Sequence, residues 1–409
     1  MSAISRLSMT AAAMSLALSG CWMFSTGDGP APEPDCEWTG QTLESGAEAT
    51  AETVVMLDLS ASAWTSESGQ IPDYPGIVGE LAVAYFREAD ARTVTLGLFS
   101  GDASDIRFPM QKAPLARPLD QGQDEQLSQI RECVGRVLAE ALENPPVTPG
   151  SDILAAISAG SRRLTGAEHA TLAIVTDGHS NVGCLDMNRV LAETDTEVLR
   201  ERCEDESEWP GALPGNVGLR LIGVSGAGVS VEGGHSGAQA LGRIREFWNR
   251  IGEQLTGVPG EYAEDPTHRW VDVPEREYPE DPPVLIREPG QNTLVIEAEA
   301  LFDTDSAELK ESAGSSVAAV VDSYGDALDR TAPVTVTGHT DSRGEDGYND
   351  DLSSRRAEAV RRHLLGLGFT DVRAEGRGSA EPVCDDRAVD GFDDACGRLN
   401  RRVEIHFEV

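Results

Sequence analysis

Four short stretches of this chain hold side chains that can do chemistry. Asp58-Leu59-Ser60-Ala61-Ser62, Gly150-Ser151-Asp152 and Thr176-Asp177-Gly178 are dense in carboxylate and hydroxyl oxygens, which are hard donors by type. The fourth runs Gly338-His339-Thr340-Asp341-Ser342-Arg343-Gly344, then Tyr348-Asn349, then Leu352-Ser353-Ser354-Arg355-Arg356-Ala357. Here an acidic loop follows an apolar strand pattern, and a pair of arginines opens the next helix. A strand end and a helix start can share one pocket holding a carboxylate and a guanidinium. Such a pocket suits a zwitterion: the acid pairs an ammonium and the arginine forks onto a carboxylate.

The elements needed to position the first three stretches are legible. Val54 to Leu57, Thr93 to Phe99, Leu172 to Val175 and Leu219 to Val224 are apolar strand runs. Gly76 to Ala89, residues 122 to 143, Ile153 to Leu164 and Ala238 to Leu255 carry helical spacing between them. Alternating strands and helices imply a mainly parallel, doubly wound α/β sheet covered on both faces. Ligands gather at the carboxyl ends of such strands, where all three oxygen-rich motifs fall.

The last stretch resembles the OmpA-like peptidoglycan-binding domain. The resemblance covers residues 291–409, from Leu301-Phe302-Asp303 with Ala307 and Leu309 to Asn400-Arg401-Arg402-Val403-Glu404-Ile405. It implies a small α+β domain that grips the diaminopimelate of a peptidoglycan stem peptide. Matched position by position, the gripping residues are Asp341 and Arg356. Thr340, Asn349 and Leu352 shape the loop and helix entry, and His339 orients the loop.

The three oxygen-rich motifs, in that order, resemble the metal-ion-dependent adhesion site of von Willebrand factor type A domains. The resemblance covers residues 50–257 and implies that Asp58, Ser60, Ser62, Ser151 and Asp177 hold Mg²⁺, or Mn²⁺ or Ca²⁺, with an open position for a partner's Asp or Glu. Ser151 stands where the family usually has Thr; it keeps the hydroxyl, and Thr148 is the alternative. His179, beside this loop, reads as a surface residue. Gly226-Ala227-Gly228 lacks the spacing and the Lys-Ser/Thr of a phosphate loop.

At the other end, Arg6 precedes an apolar run from Leu7 to Leu18, too short to span a bilayer as a permanent helix. Leu18-Ser19-Gly20-Cys21 resembles a bacterial lipobox. That implies a signal peptide over 1–20, lipidation (palmitate among the acyl chains) at Cys21, and, with Trp22 next, an outer-membrane anchor facing the periplasm.

The chain has 409 residues with Asp+Glu 70 against Lys+Arg 33, a net charge of −37. That excess argues against nucleic acid, which is bound by clustered positive charge. Besides Cys21 there are six cysteines, an even number for an oxidising compartment. Cys384 and Cys396 flank a loop where some OmpA-like members carry a disulfide. Cys184 and Cys203 bracket a polar insertion, leaving Cys36 with Cys133. Residues 21–49 read as a tether, and the Pro- and acid-rich stretch 258–290 reads as an extended spacer.

The organisation points to a non-enzymatic lipoprotein. It would tether the outer membrane to peptidoglycan and recruit a protein partner through the middle domain. The alternatives are a metal-dependent hydrolase of the wall or of a phosphoester, and a stator-like motor component. A hydrolase would need a general base with a His-rich or doubly carboxylate-ligated centre, which the sequence does not display.

Overall fold

A computed structural model describes residues 35–42, 49–65, 69–83, 91–116, 123–145, 148–190, 196–224, 230–231, 237–264, 269–273, 281–286, 292–323, 328–388 and 391–408. The signal-like segment, Cys21 and Gly226-Ala227-Gly228 lie outside them. Residues from Asp35 to Val409 form one compact unit.

The first part is built on a six-stranded sheet. Its strands are β1 (Ala51–Asp58), β2 (Ala91–Phe99), β3 (Arg107–Ala116), β4 (His169–Val175), β5 (Val217–Ile222) and β6 (Ala263–Glu264). They lie in the order β3-β2-β1-β4-β5-β6, all parallel except β3, which runs antiparallel to β2. β1 is buried along its whole length, as a central strand covered on both faces must be. One face packs Met56, Leu172 and Ile174 against Ile153, Ile157, Phe247 and Trp248. The other packs Val55, Leu57 and Val175 against Ile77, Val78, Val134 and Leu138. The covering helices are α1 (Tyr74–Ala82), α2 (Gln123–Ala141), α3 (Ile153–Ser161) and α5 (Gly237–Thr256), with the short α4 (Met187–Val190) on the rim.

The mainly parallel sheet expected from the apolar runs is present. The antiparallel strand β3 has no counterpart in that reading. Pro109 and Pro114 interrupt its pattern, Lys112 takes a positive φ of 48°, and its pairing with β2 shifts register twice. An edge strand tolerates such breaks because only one side of it is paired.

The C-terminal part is a four-stranded sheet in the order β7-β10-β8-β9. Its strands are β7 (Thr293–Glu297), β8 (Val334–Gly338), β9 (Val372–Gly376) and β10 (Arg402–Phe407). Helices α6 (Glu311–Ser323) and α7 (Asp346–Gly366) pack Val317, Val320, Val360 and Leu364 against Leu294, Val336 and Ile405. A short helix, α8 (Asp394–Asn400), leads into β10.

All three cysteine pairs expected from the sequence form: Cys36–Cys133, Cys184–Cys203 and Cys384–Cys396. The first ties Cys36, inside the stretch read as a tether, to α2, and Trp38 packs on the core beside it. The described parts of 258–290 depart from an extended spacer. Ala263–Glu264 is the edge strand β6, and Trp270–Asp272 pairs antiparallel with Gln70–Pro72. Leu285–Ile286 pairs parallel with Ser230–Val231. The reason is in the sequence: Tyr262, Val271, Val273 and Val284 are spaced among the acids and prolines, and each packs on the core.

Candidate functional site

The oxygen-rich residues meet at the carboxyl end of β1 and β4. Asp58, the last residue of β1, is fully buried. Its Oδ1 accepts a hydrogen bond from Ser60 N at 2.9 Å. Its Oδ2 accepts from Ser151 Oγ at 2.6 Å and from Thr176 Oγ1 at 2.7 Å. Ser60 Oγ lies 3.2 Å from Ser62 Oγ. Asp177 is 3 % exposed; its Oδ1 accepts from His179 N, while Oδ2 accepts no hydrogen bond and lies 3.2 Å from His179 Nδ1. Burial, and then the like charge of Asp177, push the Asp58 carboxyl up to about 7.

Ser151 therefore stands beside Asp58. Thr148 turns away and donates to Asp105 Oδ2 at 3.0 Å. His179 is not a surface residue: it is buried at 3 %. The chain turns inward after Gly178 (φ 86°), and Trp248 Nε1 roofs the turn by donating to Gly178 O at 2.8 Å. Thr176, which opens the third oxygen-rich motif without being named as a ligand, belongs to the site, as does Asn181, which lies outside every motif and whose Oδ1 accepts from Ser151 N at 2.7 Å.

Two buried carboxylates with hydroxyls around them, and no lysine or arginine paired to either among the described residues, form a donor set that fits a hard divalent cation. No three Asp, Glu, His or Cys side chains among the described residues are placed to hold an ion alone. Hydroxyls and water would complete the shell of such an ion. Asp58, Ser60, Ser62, Ser151 and Asp177 are the residues available to do so.

The second site is a cavity of about 380 Å³ between the end of β8 and the first half of α7; the helix begins at Asp346, so Arg356 stands in its middle and the arginine pair does not open it. Asp341, Arg356, Asn349, Thr340 and Leu352 all line it, with Arg401 across from them. The helix can approach because Gly338 ends β8; a Cβ there would stand 2.3 Å from Ser353 O. Asn349 Nδ2 holds the loop by donating to Arg343 O at 2.8 Å and to Asp341 O at 3.3 Å. Arg356 is buried, donates Nε to Ser306 O at 2.8 Å, and stands 5.4 Å from the Phe302 ring centroid. Its two Nη groups form no hydrogen bond with a described residue.

Asp341 is already engaged. Its Oδ2 accepts from Arg343 Nη2 at 2.6 Å, Arg343 Nε at 3.0 Å and Arg401 Nη1 at 2.6 Å. Burial raises its pKa, but these bonds outweigh burial and hold the carboxyl below its usual range. Arg343 and Arg401 were not read as site residues. Arg343 lies inside the loop motif and Arg401 in the terminal motif, but no spacing rule connects residues sixty positions apart.

The OmpA family model matches residues 301–393. Outer membrane protein A of Bordetella avium is 32% identical over 161 residues, which is 39% of this chain and 71% of that protein. Photosystem I P700 chlorophyll a apoprotein A2 of Gloeobacter violaceus is 39% identical over 123 residues; the match takes in 29% of this chain but only 14% of that protein. What is shared there is a module and not a whole chain. The crystal structure of the peptidoglycan-associated lipoprotein from Burkholderia pseudomallei is 32% identical, covering 26% of this chain and 87% of that one, with a TM-score of 0.21. Through its C-terminal region, the chain belongs to the OmpA family.

Proposed function

We propose that this chain is an outer-membrane lipoprotein that tethers the envelope to peptidoglycan without covalent attachment. One observation carries the reading. Asp341 and Arg356 line a single cavity, with Arg356 presenting its Nη groups and Asp341 held as a carboxylate. A diaminopimelate centre has an ammonium and a carboxylate, and the pair matches both. The match of residues 301–393 to the OmpA family model supports the assignment. The proposed attachment is lipid at Cys21, on the lipobox-like Leu18-Ser19-Gly20-Cys21.

The test is co-sedimentation of the full chain with isolated sacculi containing diaminopimelate. Saturable binding that free diaminopimelate competes away is expected. Binding unaffected by substituting both Asp341 and Arg356 would place the pocket elsewhere. For the anchor, labelling with a palmitate analogue should mark the wild type and not Cys21→Ala.

The middle domain is read as a von Willebrand factor A-type module whose adhesion site takes Mg²⁺, or Mn²⁺ or Ca²⁺, and a carboxylate from a protein partner. The strand order and the Asp58, Ser151 and Asp177 arrangement support this. When bound, the ion would supply a Lewis-acidic position for that carboxylate. The chain's residues orient the donors and exclude water from the buried oxygens.

A further inference from the structure

We propose that Asp281 is this chain's own carboxylate ligand for the oxygen-rich site, so that a bound divalent cation latches the segment before the C-terminal domain onto the middle domain. The inference rests on reading that site as a metal-dependent adhesion site, and it names the first occupant of the position left for a partner.

Asp281 lies 131 residues from Gly150 and 219 from Ser62, yet its carboxylate bridges both. Oδ1 accepts from Gly150 N at 2.6 Å and Oδ2 accepts from Ser62 N at 2.7 Å. These amides belong to the two loops that carry the Ser60, Ser62 and Ser151 hydroxyls. A single side chain at the mouth of both loops stands where an incoming acidic residue has to stand.

The flanking backbone is fixed as well. Pro282 O accepts from Asn181 Nδ2 at 2.7 Å, and the same Asn181 holds Ser151 N through its Oδ1. Pro283 O accepts from Asn188 Nδ2 at 3.1 Å, and that amide also lies 3.4 Å from Ser316 Oγ on α6. Val284 is buried in the middle core, and Leu285–Ile286 pairs with Ser230–Val231. Two consecutive prolines reduce the entropy lost when this segment is ordered.

A second observation points to a cation. Asp177 is 3 % exposed with Oδ2 accepting no hydrogen bond, and its charge acts on both Asp58 and Asp281. Among the described residues no lysine or arginine pairs with any of the three. A divalent ion at Asp58 and Asp177 would offset that repulsion, with Asp281 joining its shell through water, since no three carboxylates among the described residues stand close enough to hold one ion together. An external partner must then present an Asp or Glu that displaces Asp281. Its binding would release the segment leading into the C-terminal domain.

The test uses the full chain with Mn²⁺ or Mg²⁺ as the probe. Calorimetry reads binding, and hydrogen exchange of peptides covering Ser62, Gly150 and residues 281–286 reads the latch. The wild type should bind the ion and show slower exchange in all three regions than in EDTA. Asp281→Ala should still bind, but more weakly by at least the roughly tenfold that losing even an outer-shell partner costs. The ion should then no longer slow exchange at 281–286. Asp281→Asn keeps the side-chain shape without the charge, and should behave like Asp281→Ala. Either variant binding as tightly as the wild type, with the same ion-dependent protection, would overturn the inference. A wild type that binds no ion would overturn the adhesion-site reading and the latch together, and is told apart because the wild type itself fails.

Discussion

Arg401 Nη1 donates to Asp341 Oδ2 at 2.6 Å, joining the carboxylate of the cavity loop to the residue that ends the last helix. Arg401 also pairs with Glu299, so the start of the domain, its loop and its end meet at one guanidinium. Arg343 holds the same carboxylate differently. Its side chain is 53% exposed and its guanidinium rests 4.1 Å from the Phe392 ring centroid. Arg401 is thus placed to orient Asp341, and Arg343 to cover it. A ligand ammonium would replace the more exposed of the two.

This assigns opposite effects to the two arginines. Arg401→Ala should weaken sacculus binding at least tenfold, because Asp341 loses its fixed orientation. Arg343→Ala should leave binding unchanged or strengthen it by up to about fivefold, the worth of an exposed ion pair of about 1 kcal/mol. Sedimentation isotherms rank the variants. If Arg343→Ala is the more damaging, Arg343 contacts the ligand and does not cover the acid.

Arg356 should be the costliest single loss. Arg356→Ala removes a buried guanidinium from the cavity and leaves a bound carboxylate unpaired, at about 2–5 kcal/mol of binding free energy. Arg356→Lys should not restore binding fully, since an ammonium cannot reproduce the planar fork. Arg355→Ala should matter little, because Arg355 is exposed and, among the described residues, pairs only with Asp351 one turn earlier. Thermal unfolding of each variant separates lost binding from lost fold, as Arg356 also bonds Ser306 O.

The sequence revealed what is local. Buried strands such as Val54 to Leu57 are uniform apolar runs, and the Asp58, Ser151 and Asp177 motifs each sit where such a run or a helix begins or ends. Two disulfides were legible because Cys184 with Cys203 and Cys384 with Cys396 each bracket one short segment, whereas Cys36 and Cys133, 97 residues apart, were paired only as the remainder. What was not legible is contact across the chain. Asp281 appeared as one acid among many in a proline-rich stretch, and only folding brings it to Gly150 N. His179 read as exposed because nothing in its neighbours announces that Trp248, 70 residues from Gly178, covers the turn.

Cation binding should stabilise the middle domain by mass action. At a Mg²⁺ concentration one hundred times its Kd, unfolding should cost about 2.7 kcal/mol more than in chelator. Asp58→Ala and Asp177→Ala should each abolish that difference while the domain still folds. Urea unfolding with and without Mg²⁺ measures it. An equal gain in wild type and Asp58→Ala would show that the ion binds elsewhere.

His339 should make stability fall in mild acid. Its side chain is 1% exposed, neither ring nitrogen makes a hydrogen bond among the described residues, and Nε2 lies 3.7 Å from Glu404 Oε1. Burial, and then the positive charge of Arg402, push its pKa below the usual value, against the opposing pull of Glu404 and Glu381. The folded chain therefore keeps the ring neutral at a pH where the unfolded chain, with a pKa of about 6.5, has taken up a proton. Because the unfolded state binds more protons there, stability is intact above about pH 6.5 and is lost as pH falls from that value toward the folded pKa. Asp341 and Asp386, whose pKa values are lowered, lose their contributions only below the unfolded carboxylate value of about 3.9. The window from about pH 4 to 6.5 thus separates the histidine from these two acids. From pH 7.5 to pH 5 the urea midpoint of the wild type should move downward relative to that of His339→Phe or His339→Gln, whichever keeps the near-UV signature of the fold; the raised Asp58 carboxyl acts with the opposite sign but equally in wild type and variant. Equal pH slopes in wild type and variant would mean that His339 is protonated in the folded chain and that its burial costs nothing in acid.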